Sequence, residues 1–222
     1  MLRVYNYMAI GVALTGVAAW VMFGLAVQDV GGRMALTPLG QTLYQSGFQW
    51  VLLLAPLALV FFISFRIQHL SVAAAQGLFF FYAALLGVSL TPIFMIYTGE
   101  SIARVFFISA ASFGALSLYG YTTQRDLSPI GSFLIMGLIG LIIAMVVNLF
   151  LKSTGLDFVI SAAGVLIFAG LTAWDTQKIK EMFDPQEDGT IVGRKAVMGA
   201  LTLYLDFINL FMFLLRLLGD RR

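Results

Sequence analysis

The chain has no cysteine. A disulfide framework, a thiolate zinc site and a cysteine nucleophile are therefore excluded. Its one histidine, His69, is too few for a metal centre built from several imidazoles. Charge is scarce: 11% of the 222 residues are Asp, Glu, Lys or Arg, against about 25% in an ordinary globular chain. A soluble domain of this length could not cover its surface with so few charges. Disorder, a coiled coil and a soluble enzyme are set aside on the same ground. The net charge is only +2 and no basic run is present, so nucleic acid is not an expected partner.

Apolar side chains are abundant, at 60% of the chain. They gather in seven long segments: Val4–Val27, Ser46–Arg66, Ser71–Tyr97, Ile102–Tyr121, Ser132–Leu151, Phe158–Ile179 and Val197–Leu218. Each is near the ~20 residues a helix needs to cross about 30 Å of hydrocarbon. Polar punctuation separates them at Gln28–Gln45, Gln68–His69, Gly99–Glu100, Gln124–Pro129, Lys152–Asp157 and Lys180–Lys195. A transmembrane β-barrel would show short alternating segments instead. Lipid offers no partner to free backbone groups, so the spans are helices. The first segment is too long for a signal-peptide core and lacks a clear cleavage site, so it reads as the first span. The expected architecture is an all-α integral membrane protein, one seven-helix domain over residues 1–222, with the lipid bilayer as its surroundings.

Seven spans put the termini on opposite sides. With Met1 inside, Arg3, Arg66, Arg125, Lys178, Lys180, Arg194 and Lys195 lie inside, and Arg33, Arg104, Lys152, Arg216, Arg221 and Arg222 outside. The positive-inside rule is nearly balanced by this division; the charged sixth loop favours an inside N-terminus and an outside C-terminus, while the basic tail favours the reverse, and the inside N-terminus is the orientation expected. Pro56 falls in the middle of the second span and frees the carbonyl of Leu52, and Pro92 does the same to Val88. Both helices should kink there, with Pro56 a hinge candidate. Small residues recur four apart at Ala9/Ala13, Ala110/Gly114, Gly140/Ala144, Ala169/Ala173 and Ala196/Ala200, a spacing that lets helices approach closely in lipid.

An ionisable side chain inside a span costs roughly 2.5–3.5 kcal/mol at the bilayer centre and marks the place to look for function. Nine of the eleven acids lie in loops or the tail; Asp175 and Asp206 do not. Asp206 is near the middle of the seventh apolar segment, with Thr202 and Asn209 on the same helical face. Asp175 is one turn from the end of the sixth, with Thr172 on its face. Thr172, Thr202 and Asn209 are candidate pore-lining residues. Arg66 closes the second span on the side where the sixth ends and the seventh begins. Counted from the segment ends, Asp206 is deeper than Asp175 by roughly 7–8 Å. A direct contact requires the seventh helix to start late, the sixth to protrude, or a tilt. Two carboxyls in contact cannot both ionise comfortably and titrate as a unit. Their oxygens also suit passing contact with a hard cation such as Ca²⁺.

Other chemistries fit poorly. An intramembrane aspartyl protease pairs two such acids, but its Tyr-Asp, Gly-x-Gly-Asp and Pro-Ala-Leu signatures are missing: the contexts are Trp174-Asp175 and Leu205-Asp206, and the last proline is Pro185. A rhomboid-type protease needs a Gly-x-Ser-Gly motif, also missing. A retinal protein needs a lysine inside the last helix, and Lys195 precedes it.

The stretch Leu171-Thr-Ala-Trp-Asp175-Thr-Gln-Lys-Ile-Lys180, followed by Ala200-Leu-Thr-Leu-Tyr-Leu-Asp206-Phe-Ile-Asn-Leu-Phe, resembles the signature of the Bax inhibitor-1 family, and the chain looks like a bacterial member. The resemblance implies a bundle with the seventh helix central and a pH-sensitive calcium leak, with Ca²⁺ as permeant ion and no cofactor. It carries the family's di-aspartyl pH sensor onto Asp175 and Asp206, its latch arginine onto Arg66, and its orientation onto a cytoplasmic N-terminus in the bacterial inner membrane. It also keeps open a second, non-catalytic role, regulating a membrane-bound ATP-dependent protease. The N-terminal tail is very short, which argues against a role for it.

Overall fold

A computed structural model describes residues 1–184 and 186–222. Among the described residues, seven helices are long and apolar enough to cross a membrane, by length and composition. In chain order they are α1 (Leu2–Ala26); α3 (Phe48–Arg66) with a 3₁₀ turn (Ile67–His69); α4 (Val72–Leu90) with the single turn α5 (Ile93–Ile96); α6 (Gly99–Thr122); α7 (Ser128–Leu151); α8 (Thr154–Glu181); and α9 (Gly189–Leu218). Helix starts carry the expected caps. Ser71, Thr98 and Ser153 each accept a bond from the backbone N–H three residues on, replacing a donor partner the first turn lacks. Ahead of α7 the Ser128 N–H binds Asp126 at 2.8 Å, which holds that exposed carboxyl below its usual range. α9 is the most enclosed span: 67% of its most apolar stretch is buried, against 6% for α7.

The Gln28–Gln45 segment is more than a loop. It holds the antiparallel hairpin β1 (Val27–Val30) and β2 (Arg33–Leu36), then the short helix α2 (Pro38–Tyr44). The turn residues Gly31 and Gly32 have φ of 64° and 81°, the paired left-handed geometry a two-residue hairpin turn requires and glycine tolerates. The Gly-Gly pair was the available signal.

The chain divides into two compact units. The first comprises α1 to α5 with the hairpin, and α9 through Leu201; α4 packs on both α1 and α3. The second comprises α6, α7, α8 and α9 from Thr202, with α8 packed on both α6 and α7.

In the first unit, both carbonyls freed by proline find donors. The Ser89 hydroxyl on α4 reaches the Leu52 carbonyl at 2.7 Å, sharing its proton with Leu85. The Tyr44 hydroxyl reaches the Val88 carbonyl at 2.8 Å. Hydrocarbon would otherwise leave the Leu52 acceptor bare; the Val88 carbonyl also accepts from the Thr91 N–H at 3.3 Å. Ser89→Ala should therefore cost about 1 kcal/mol in reversible unfolding, and clearly less when Pro56→Ala restores the missing helical donor. Equal costs in the two backgrounds would mean Ser89 has no link to the proline.

The small-residue spacing placed the close contacts only in part: Ala173, Ala196 and Ala200 are buried. Ala9, Ala13, Gly114 and Gly140 are exposed on the helix surfaces. Close approach occurs at Gly87, where a β-carbon would stand 2.4 Å from the Thr15 carbonyl oxygen, and at Gly120, 2.0 Å from that of Ala173. A repeat of small residues gives spacing along one helix but not which face meets a neighbour.

Candidate functional site

Asp175 and Asp206 meet inside the second unit. Asp175 lies two turns before the end of α8 and Asp206 near the middle of α9. Their side chains are in hydrogen-bonding contact and both are buried. No donor among the described residues reaches Oδ2 of Asp206; within the pair itself, a proton shared between the two carboxyls would satisfy it. Of the two end-shifts the counting allowed, the late start does not occur, because α9 begins at Gly189, before Val197; α8 does run past Ile179, to Glu181, but those two residues add only about 3 Å of the gap. Distances counted from helix ends therefore do not set the register of this pair; packing does.

Three contacts set that packing. Gly120 admits the α8 backbone at Ala173, two residues before Asp175. In the same seam the hydroxyls of Ser117 and Thr176 bond at 2.9 Å, both buried. On the α9 side, Phe207 packs edge-on against Phe106 and Phe113, with centroids 5.7 and 5.6 Å away. Two residues beyond Asp175, Gln177 accepts from the Leu127 N–H and donates to the Arg125 carbonyl, both bonds shorter than 3.0 Å, tying α8 to the loop before α7.

The two carboxyls line a cavity of about 590 Å³ bounded by α7, α8 and α9. Thr202 and Asn209 line it too, while Asn209 donates to the Leu205 carbonyl at 2.8 Å. Thr172 is not among the lining residues; it is buried and donates to the Phe168 carbonyl. Arg66 ends α3 in the first unit, exposed, and Pro56 is buried in the same helix. The cation whose charge acts on Asp175 is Lys178, at i+3, and its ammonium stands 4.9 Å over the Trp174 ring. Neither Lys178 nor Trp174 is a site candidate from the sequence, although their i, i+4 spacing on one helix is a usable signal. Among the described residues no group of three or more His, Cys, Asp or Glu gathers. Two carboxyls fall well short of the six to eight oxygens of a resident calcium site.

The sequence model of the family described as "Inhibitor of apoptosis-promoting Bax1" matches residues 1–222. The chain belongs to the Bax inhibitor-1 family. Among its relatives, RP147 of Rickettsia prowazekii is 48% identical over all of this chain and 89% of its own length. The inner membrane protein YbhL of Escherichia coli is 44% identical over all of this chain and 92% of its own. A protein of Deinococcus radiodurans is 40% identical over all of this chain and 90% of its own. With seven apolar helices among its described residues, the chain is a multi-pass membrane protein.

Proposed function

We propose that the protein is a pH-sensitive calcium leak of the bacterial inner membrane, without catalytic activity, its N-terminus cytoplasmic and its C-terminus outside. The observation that carries this reading is the buried Asp175–Asp206 contact facing a cavity within the apolar spans. A buried carboxyl pair is expensive unless it works, and its proton count changes its charge and so its hold on any cation. In this mechanism the ionised pair holds the closed state. Acidification protonates it, the latch to a basic side chain weakens, and Ca²⁺ passes the Asp206 face of α9 in transient contact with both carboxyls, beside Thr202 and Asn209.

The family resemblance assigns the latch to Arg66, with Pro56 as the hinge; the geometry of the second unit offers Lys178. Calcium flux into liposomes containing the purified protein, followed from about pH 6 to pH 8, tests the reading. Flux should rise on acidification, and Asp175→Asn and Asp206→Asn should flatten the profile. Arg66→Gln should raise flux at the alkaline end if Arg66 is the latch, and Lys178→Gln if that residue is. A profile flat in the unaltered protein, with co-purification of a membrane-bound ATP-dependent protease, would replace the leak by the regulator role.

A further inference from the structure

The cavity of the second unit has walls that a calcium path does not need. Around the two carboxyls stand Phe168, Met145, Met212 and Phe213. Its volume of about 590 Å³ falls within the roughly 300–1,000 Å³ of sites for small organic molecules, and its make-up, apolar and aromatic with a few polar groups, is theirs. A hydrated cation gains nothing from such walls. Asp206 is 5% exposed and no donor among the described residues reaches its Oδ2, so a ligand bringing an N–H into the cavity would satisfy an acceptor that is costly to leave bare. Two cations also line the space, Lys178 and Arg216. Both are exposed and lie over ring faces, Lys178 over Trp174 and Arg216 over Phe213 at 5.6 Å. The charge of Lys178 bears on Asp175.

We infer that the cavity bounded by α7, α8 and α9 binds a lipophilic amine, with its ammonium on Asp206 and its apolar tail along Phe168, Met212 and Phe213. The inference shares its carboxyls with the proposed leak. Its test reads binding and not flux, so either can fail alone.

The full chain is placed in phosphatidylcholine nanodiscs, whose lipid carries no N–H. Of the three tryptophans, Trp20→Phe and Trp50→Phe leave Trp174, which lines the cavity, as the only indole. Its emission is followed against n-decylamine, n-decanol and n-decanoate, three probes with matched tails and different heads. Decylamine should saturate at a concentration at least about tenfold below decanol. Asp206→Asn should erase that difference, and Asp126→Asn, in an exposed loop, should leave it intact. Equal midpoints for amine and alcohol, tighter binding of decanoate, or a difference that survives Asp206→Asn would each overturn the inference. Should Asp206→Asn fail to fold, Met145→Phe serves instead: by filling the cavity it should weaken amine and alcohol together, and unchanged binding would overturn the inference equally.

Discussion

Gly120→Ala is expected to destabilise the protein by about 3 kcal/mol, at the upper end of the cost of overpacking, and Gly120→Val to prevent folded protein from accumulating. An added β-carbon would stand 2.0 Å from the carbonyl oxygen of Ala173 and under 3 Å from two further backbone atoms. Backbone, unlike the tip of a side chain, cannot swing aside. The two helices would have to separate, breaking the Ser117–Thr176 bond in the same seam and moving Asp175, two residues beyond Ala173. Gly114→Ala is the control on the same helix, with nothing within 4 Å of the new carbon. There the helix should gain up to about 1 kcal/mol from the better helix former. Reversible unfolding in mixed micelles reads both. Similar values for the two variants would show that α6 and α8 are not in intimate contact.

Phe213→Ala carries the second large effect, about 2 kcal/mol of lost stability. The ring lies against Gly164, where a β-carbon would meet it at 2.6 Å, and stacks on Phe168 with centroids 5.8 Å apart. In water such a truncation loses transfer energy as well as packing. In a bilayer the unfolded reference is already in hydrocarbon, so mainly packing is lost. At about 24 cal/mol per Å³ of cavity, roughly 100 Å³ of missing ring gives the figure above. Gly164→Ala should also destabilise on its own, because it pushes into the ring. Combined with Phe213→Ala it should cost far less than the sum, since the methyl then enters vacated space. Strict additivity in the double variant would break the link between the two positions.

The spans were legible because transfer into lipid is decided residue by residue and adds along the chain. The second and fifth apolar segments, for example, match α3 and α7 to within a few residues. The proline sites were legible for a similar local reason: the ring removes one known donor, so Leu52 and Val88 could be named from the sequence. That Ser89 and Tyr44 answer them could not, because those residues lie 37 and 44 positions away. The hairpin was overlooked because a short polar stretch between spans carries no hydropathy signal, although its Gly-Gly turn does.

The acids at 175 and 206 were selected by the sequence alone, through the scarcity of charge: almost every other carboxylate falls where water reaches it. Composition and hydropathy likewise determined the membrane, the helical class and the number of spans. Only the tertiary structure decided that the two carboxyls touch, that Thr202 and Asn209 face their cavity while Thr172 does not, and that Lys178 acts on Asp175. Those facts depend on how far helices slide and rotate against one another. Gly120, Gly164 and the rings of Phe207 and Phe213 set that register, by how closely each surface lets the next approach.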